Sequence, residues 1–201
     1  MKAHRSYRYR VVDVFTTEPL QGNPLVPKLW LMTPPLREDA VVDKETAAKL
    51  LGLKVNQLLG FSPQILDAGN PTLFIPVVDR GTVDCISFDT SAWARFKIEH
   101  ASPMCVFSFA PTPEGAYSRM FAPDYGIRED PATGSSTGSL AHYMMKHGML
   151  SSKAGTTFFS EQGTKMGRRS ILHVRIQGEG GADGIDVGGN VTPVIEGTIT
   201  L

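Results

Sequence analysis

The 201 residues are 41% hydrophobic, enough to bury a sizeable core in one large domain or one and a half small ones. Twenty basic and twenty acidic residues cancel, so charge gives no support for nucleic acid or a membrane as a partner. Two cysteines, Cys85 and Cys105, make neither a disulfide framework nor a zinc site. No long apolar run follows the basic residues 1–10, so neither a signal peptide nor a membrane helix is expected, and the cytoplasm is the expected location.

Taken in chain order, residues 7–15 alternate and then turn apolar, which predicts a strand entering a core. Residues 16–24 are turn-rich and hold Gly22-Asn23-Pro24. Leu29-Trp30-Leu31-Met32 is a short apolar run stopped by Pro34-Pro35. Asp43 is the expected cap of a helix that carries Ala47, Leu50 and Leu51 on one face and ends at Gly52. Strands are expected over residues 64–68, 72–78, 104–110 and 117–121, with a short helix at 91–97 around Trp93 and Phe96. The clearest helix runs from Asp130-Pro131 to Gly148, with Asp130 as N-cap and Pro131 as first helical residue. Leu140, Ala141, Met144 and Met145 fall at helical spacing. Gly134 and Gly138 leave one side small enough for another backbone to come close. Such a helix is expected to be central and enclosed. Beyond Gly148, strands are expected at 156–161, 170–177, 185–187 and 198–201. The glycine-rich turn at 178–184 precedes no helix and is not read as a phosphate loop.

The chemistry concentrates at residues 119–138, where a strand leads into a loop and then a helix start crowded with small hydroxyl residues. A helix start offers free N–H donors and a positive dipole end, which suits a carboxylate or phosphate. Gly134 lets a ligand approach the backbone, and Ser135, Ser136 and Thr137 can donate to its oxygens. Asp130 can hold an amine or hydroxyl, or move a proton. On the residues alone, the blander alternative stays open: Asp130 caps the helix and the serines face water.

Glu129-Asp130-Pro131-Ala132-Thr133-Gly134-Ser135, with Phe121 and Pro123 upstream and Gly138 downstream, resembles the signature of the PhzF family. Further likenesses stand in order. They are Val12-Asp13-Val14-Phe15-Thr16 with Gly22-Asn23-Pro24, Gly69-Asn70-Pro71-Thr72, Gln162-Gly163 with Met166-Gly167-Arg168 and Ser170, and Gly188-Gly189-Asn190-Val191 to Gly197-Thr198-Ile199. The resemblance implies an α+β, diaminopimelate epimerase-like fold, in which an antiparallel sheet wraps a central helix. It also implies an isomerase that moves a proton on a small carboxylate, with no metal and no organic cofactor. The roles that follow are Asp130 as the catalytic group and Gly134, Ser135 and Ser136 as substrate-binding residues.

The likeness is incomplete. The family continues after its opening turn with an Asn-Leu-Ser-Glu-like motif, whose glutamate is the proposed proton carrier, and later a Gly-His pair; neither is in this chain. Residues 1–35 therefore resemble a remnant of the first domain and residues 36–201 the second, with the final strand returning to the remnant. Impaired turnover is expected. The alternative is a non-catalytic carboxylate-binding or interaction protein of the same fold. The deletion is expected to bare apolar surface, and a homodimer is the expected assembly. Glu45, in Lys44-Glu45-Thr46, is read as a surface helix residue rather than a replacement base. His142 and His147 lie away from the ligand-binding helix start, with His147 favourable to the helix dipole. His100 and His173 sit in no motif. Ser135 sits in no nucleophile elbow.

Overall fold

The computed structural model describes residues 6–15, 17–18, 21–22, 29–100, 102–181 and 184–200. Asn23 and Pro24 of the opening turn lie outside the described residues. In chain order the strands begin with β1 (Ser6–Val14), β2 (Thr17–Glu18), β3 (Gln21–Gly22), β4 (Leu29–Met32) and β5 (Arg37–Val41). Helix α1 (Lys44–Leu51) follows, then β6 (Gln64–Asp67), β7 (Thr72–Pro76), α2 (Arg80–Cys85) and α3 (Thr90–Glu99). Strands β8 (Cys105–Thr112), β9 (Gly115–Ala122) and β10 (Ile127–Asp130) lead into α4 (Gly134–Lys146). The described chain closes with β11 (Thr157–Gln162), β12 (Ser170–Gln177), β13 (Gly184–Gly189) and β14 (Val191–Thr200).

Ten strands form one sheet in the order β4-β13-β12-β11-β9-β8-β7-β6-β5, with β10 paired to β9. Alternating side chains divide the core between its two faces. On β9, Ala116, Met120 and Ala122 point one way into a cluster with Leu140, Ala141, Tyr143 and Met144 of α4. Tyr117 and Phe121 point the other way, into a cluster with Leu50 and Leu51 of α1 and Trp93 and Phe96 of α3. The sheet curls so that α4 touches β6 and β7 on one side and β12 and β13 on the other. The expected central, enclosed helix is therefore present, and the fold is α+β.

The sheet is mixed rather than wholly antiparallel, because β7 pairs β8 and β9 pairs β11 in parallel. A parallel pair needs a crossover of a dozen residues or more. The two crossovers are the stretches that carry α2 with α3 and α4. The start of α4 also differs from expectation. Asp130 ends β10 opposite Met120, and the N-cap is Thr133, so neither Asp130 nor Pro131 is a cap or first-turn residue.

The small side of α4 receives two pieces of the opening segment. A Cβ on Gly138 would stand 2.0 Å from Thr33 Oγ1, and one on Gly134 would stand 3.0 Å from the Phe15 ring. Phe15 holds a left-handed backbone (φ 64°), which costs about 1 kcal/mol for a residue with a side chain. Its N–H donates to the Asn190 carbonyl at 2.9 Å, and its carbonyl accepts from the Ile171 N–H at 3.2 Å.

Glu38 of β5 ties that edge strand to α4 by accepting from His142 Nε2 at 2.9 Å and from Lys146 Nζ. These two partners, with Gln64, hold the Glu38 carboxyl down at about 2. A depressed folded-state pKa gives stability that is present above the unfolded value and is lost as pH falls through the folded one. Glu38 is 41% exposed, so solvent screening limits the whole contribution to about 1 kcal/mol. Glu38→Gln should therefore destabilise the chain by about that amount at pH 7. Urea denaturation across pH 6 to 2 should show the difference from wild type vanishing between about 4.5 and 2. A difference constant with pH would show that the ion pair contributes nothing.

Candidate active site

Residues 130–133 are held by the end of β11. The Gln162 side chain is fully buried. Its Nε2 donates to the Asp130 carbonyl at 2.7 Å and to Thr133 Oγ1 at 3.0 Å, and its Oε1 accepts from the Thr133 N–H at 3.2 Å. One amide thus fixes both ends of the Asp130-Pro131-Ala132-Thr133 turn. The residue before a proline is biased to extended backbone, which suits Asp130 to the last position of a strand. Thr133 Oγ1 donates to Asp130 Oδ2, which fixes the carboxylate beside the helix start. The Thr133 side chain does not cap α4, so the first-turn N–H groups of Gly134 and Ser135 have no side-chain cap among the described residues.

Asn70, in the turn between β6 and β7, braces the same helix end from below. Its Nδ2 donates to Ser135 Oγ and to Ser136 Oγ, both at 3.2 Å. Its Oδ1 accepts from Tyr125 OH at 3.2 Å and from the Cys105 thiol at 3.7 Å. Thr72 Oγ1 lies 2.9 Å from Ser136 Oγ. Both donors and both lone pairs of the Asn70 amide are used.

The expected site residues therefore separate. Asp130 and Gly134 are half-buried and Ser135 is exposed, all at the mouth of the helix start. Ser136 is fully buried with its hydroxyl engaged by Asn70 and Thr72, so it supports the helix start from inside and presents no free face to a ligand. The Phe15 ring forms one wall over Gly134. Burial pushes the Cys105 thiol up to about 12, so it stays protonated and is no nucleophile.

Glu129 faces the other way. It pairs bidentately with Arg119, at 2.9 and 2.8 Å, while Arg119 Nη1 donates to the carbonyls of Val83 and Ile86. A cavity of about 450 Å³ lined by Phe88, Phe121, Arg119, Arg128 and Glu129 lies on this side and does not include Asp130 or Ser135.

Glu45 is an exposed first-turn residue of α1, a helix that packs on the sheet face away from α4. His142 pairs with Glu38. His147 is the C-cap residue of α4 and packs against Phe61 and Tyr143, and burial lowers its pKa. His100 stacks on Phe96, and His173 packs edge-on to Phe159. Among the described residues, no group of three His, Cys, Asp or Glu side chains is placed to hold a metal ion, and no helix is long and apolar enough to cross a membrane.

Gln162 and Asn70 are the residues whose site roles the sequence did not disclose. Both belong to segments that resemble the family's, Gly69-Asn70-Pro71-Thr72 and Gln162-Gly163, but nothing in their local pattern says that the amides reach the helix start.

The chain matches the family model described as phenazine biosynthesis-like protein over residues 28–197. It is 39% identical over 144 residues to the trans-2,3-dihydro-3-hydroxyanthranilate isomerase of Pseudomonas chlororaphis, covering 70% of this chain and 49% of that one. Among solved structures, the phenazine biosynthesis protein of the PhzF family from Bacillus anthracis superposes with a TM-score of 0.71 at 19% identity, covering 94% of this chain and 64% of that one. A predicted epimerase from Pseudomonas aeruginosa gives 0.69 at 23% identity, covering 86% and 58%. The chain spans about half the length of the curated relatives it matches. The two superpositions carry the epimerase-like fold, and the sequence match carries the family. The chain belongs to the PhzC-PhzF family of phenazine biosynthesis-like proteins.

Proposed function

We propose that this chain binds a small carboxylate at the start of α4 and acts on it by acid/base proton transfer, without metal or organic cofactor and with impaired turnover. The observation that carries this reading is the uncapped first turn of α4 with the Asp130 carboxylate fixed beside it. The N–H groups of Gly134 and Ser135, with Ser135 Oγ, take the ligand carboxylate at the positive end of the helix dipole. Asp130 then meets the remainder of the ligand as a hydrogen-bond acceptor or proton carrier. Moving a proton on and off carbon needs a poised group within hydrogen-bond reach, and usually a second one to return it. The family's Asn-Leu-Ser-Glu-like motif, which supplies that glutamate, is not in the sequence. Residues 1–35 are proposed as a remnant of the first domain, carrying Phe15 and Thr33 onto α4, and residues 36–201 as the second domain.

The test is NMR in D2O with trans-2,3-dihydro-3-hydroxyanthranilate, the compound named for the P. chlororaphis relative, and that enzyme as control. The amides of Gly134 and Ser135 should shift on titration. Deuterium should enter the compound slowly, and Asp130→Asn should slow that entry by roughly 100-fold or more. Exchange unaffected by Asp130→Asn would remove Asp130 from the chemistry. A second reading, carboxylate binding without turnover, draws on the same missing glutamate. It would show amide shifts and no deuterium. Unmoved amides with this and simpler aromatic carboxylates would sink both readings.

A further inference from the structure

The cavity beside Glu129 lies between β9, β10 and the turn that joins α2 to α3, and it holds about 450 Å³. That volume falls within the ~300–1,000 Å³ usual for small-ligand pockets. Asp130, Gly134 and Ser135 do not line it. Its lining divides by chemistry. Ile86, Phe88, Phe121, Pro123 and Ile127 make an apolar part. The rings of Phe88 and Phe121 stack on each other at 4.9 Å and 10°. A flat ring entering beside such a pair buries apolar area and finds offset or edge contacts.

The polar part is Arg119, Glu129 and Arg128. Arg119 is 9% exposed, and a guanidinium has five N–H donors. Its Nε and Nη2 each donate to Glu129, and its Nη1 donates to two carbonyls. The second N–H on Nη2 has no acceptor among the described residues. A buried donor without an acceptor is costly, so a ligand oxygen that reaches it is favoured.

Charge decides which ligand fits. Arg119 and Glu129 neutralise each other across a bond of 2.8 Å. Arg128 is exposed and pairs with no carboxylate among the described residues. The lining therefore carries one net positive charge. A cation meets repulsion from Arg128, and a doubly charged phosphate meets repulsion from Glu129. A single carboxylate on a flat apolar body answers Arg128 and the spare Arg119 donor while leaving Glu129 paired. We propose that this cavity is a second ligand site, which takes a flat aromatic monocarboxylate. Glu129 walls this cavity and Asp130, the next residue, turns to Thr133 at the helix start, so one short strand separates the two sites. The second site does not rest on the reading of the first, and either can fail alone.

The test is an NMR titration of the full 201-residue chain with 2-naphthoate. The amides of Gly126, Ile127 and Arg128 should shift and saturate, with a Kd on the order of 0.1–1 mM for a ligand of this size. 2-Naphthamide has the same body without the charge and should bind about fivefold more weakly. Arg128→Gln should weaken naphthoate by about the same factor and leave naphthamide unchanged. Arg128 is exposed and unpaired, so the variant should fold as wild type does, and unchanged α4 amides would show it. Shifts confined to Gly134 and Ser135 would place naphthoate at the α4 start alone and overturn the proposal. So would naphthamide binding as tightly as naphthoate, or an Arg128→Gln variant that holds both as wild type does.

Discussion

Gly163→Ala should cost the chain about 3 kcal/mol or more and lower its melting temperature by roughly 10 °C. Gly163 follows β11 with φ 77°, a left-handed backbone that an alanine adopts at a cost of about 1 kcal/mol. The added methyl would also stand 2.2 Å from the Arg168 carbonyl oxygen and 2.7 Å from that of Pro131. Both obstacles are backbone, and the Gly163 carbonyl itself accepts from the N–H groups of Met166 and Arg168, so neither side of the turn can yield cheaply. Gly167, four residues on, separates the two causes. It has φ 75°, and nothing lies within 4 Å of its would-be Cβ. Gly167→Ala should cost only the ~1 kcal/mol of backbone strain. Differential scanning calorimetry on both variants reads the steric part as the difference. Equal losses would show that the Pro131 and Arg168 carbonyls do not crowd Gly163.

Gln162→Leu should destabilise by about 2–3 kcal/mol and weaken carboxylate binding at the same time. Leucine fills nearly the same volume, so the loss comes from hydrogen bonding rather than from a cavity. The buried Thr133 N–H and the Asp130 carbonyl each lose their partner in the Gln162 side chain, and unpaired buried groups of this kind cost ~1–3 kcal/mol apiece. The turn from Asp130 to Thr133 is then free to shift relative to α4. Thermal unfolding gives the stability term. Titration of the Gly134 and Ser135 amides with a small aromatic carboxylate gives the binding term. Gln162→Glu keeps the acceptor for the Thr133 N–H but sets a buried carboxylate oxygen against the Asp130 carbonyl, so its stability loss should be at least that of leucine. A variant as stable as wild type that also binds as well would show that the turn holds itself.

The sequence disclosed elements whose signals are local. α1 is capped by Asp43, whose carboxylate accepts from the Thr46 N–H, and it stops at left-handed Gly52, as the pattern predicts. β12 alternates buried and half-buried residues over its whole length. β5 escaped notice because all five of its residues are exposed, so it carries no apolar period. β10 carries no apolar period: Ile127 and Arg128 are exposed, Glu129 turns to Arg119 and Asp130 to Thr133. That division also moved the helix start. Asp before Pro reads as a cap, but a cap's identity is settled by where the chain turns, and a buried amide 32 residues away settles it here. The site followed the same rule. Ser135 and Asp130 could be named from their motif. The burial of Ser136 could not, because it depends on Asn70 and Thr72, which reach it across the sheet.

The pairing of β1 with β14 sets a schedule for biosynthesis. Tyr7 meets Ile199 and Val14 meets Val191, so no nascent chain shorter than about 190 residues can begin this pairing. At ordinary translation rates of ~5–20 residues per second, β1 waits on the order of 10–40 s with Tyr7, Tyr9 and Val11 bare. Over that whole interval Phe15 lacks its Asn190 partner, and over most of it its Ile171 partner. The ribbon is the last part of the fold to close, because its pairing joins residues 6–14 to residues 191–200.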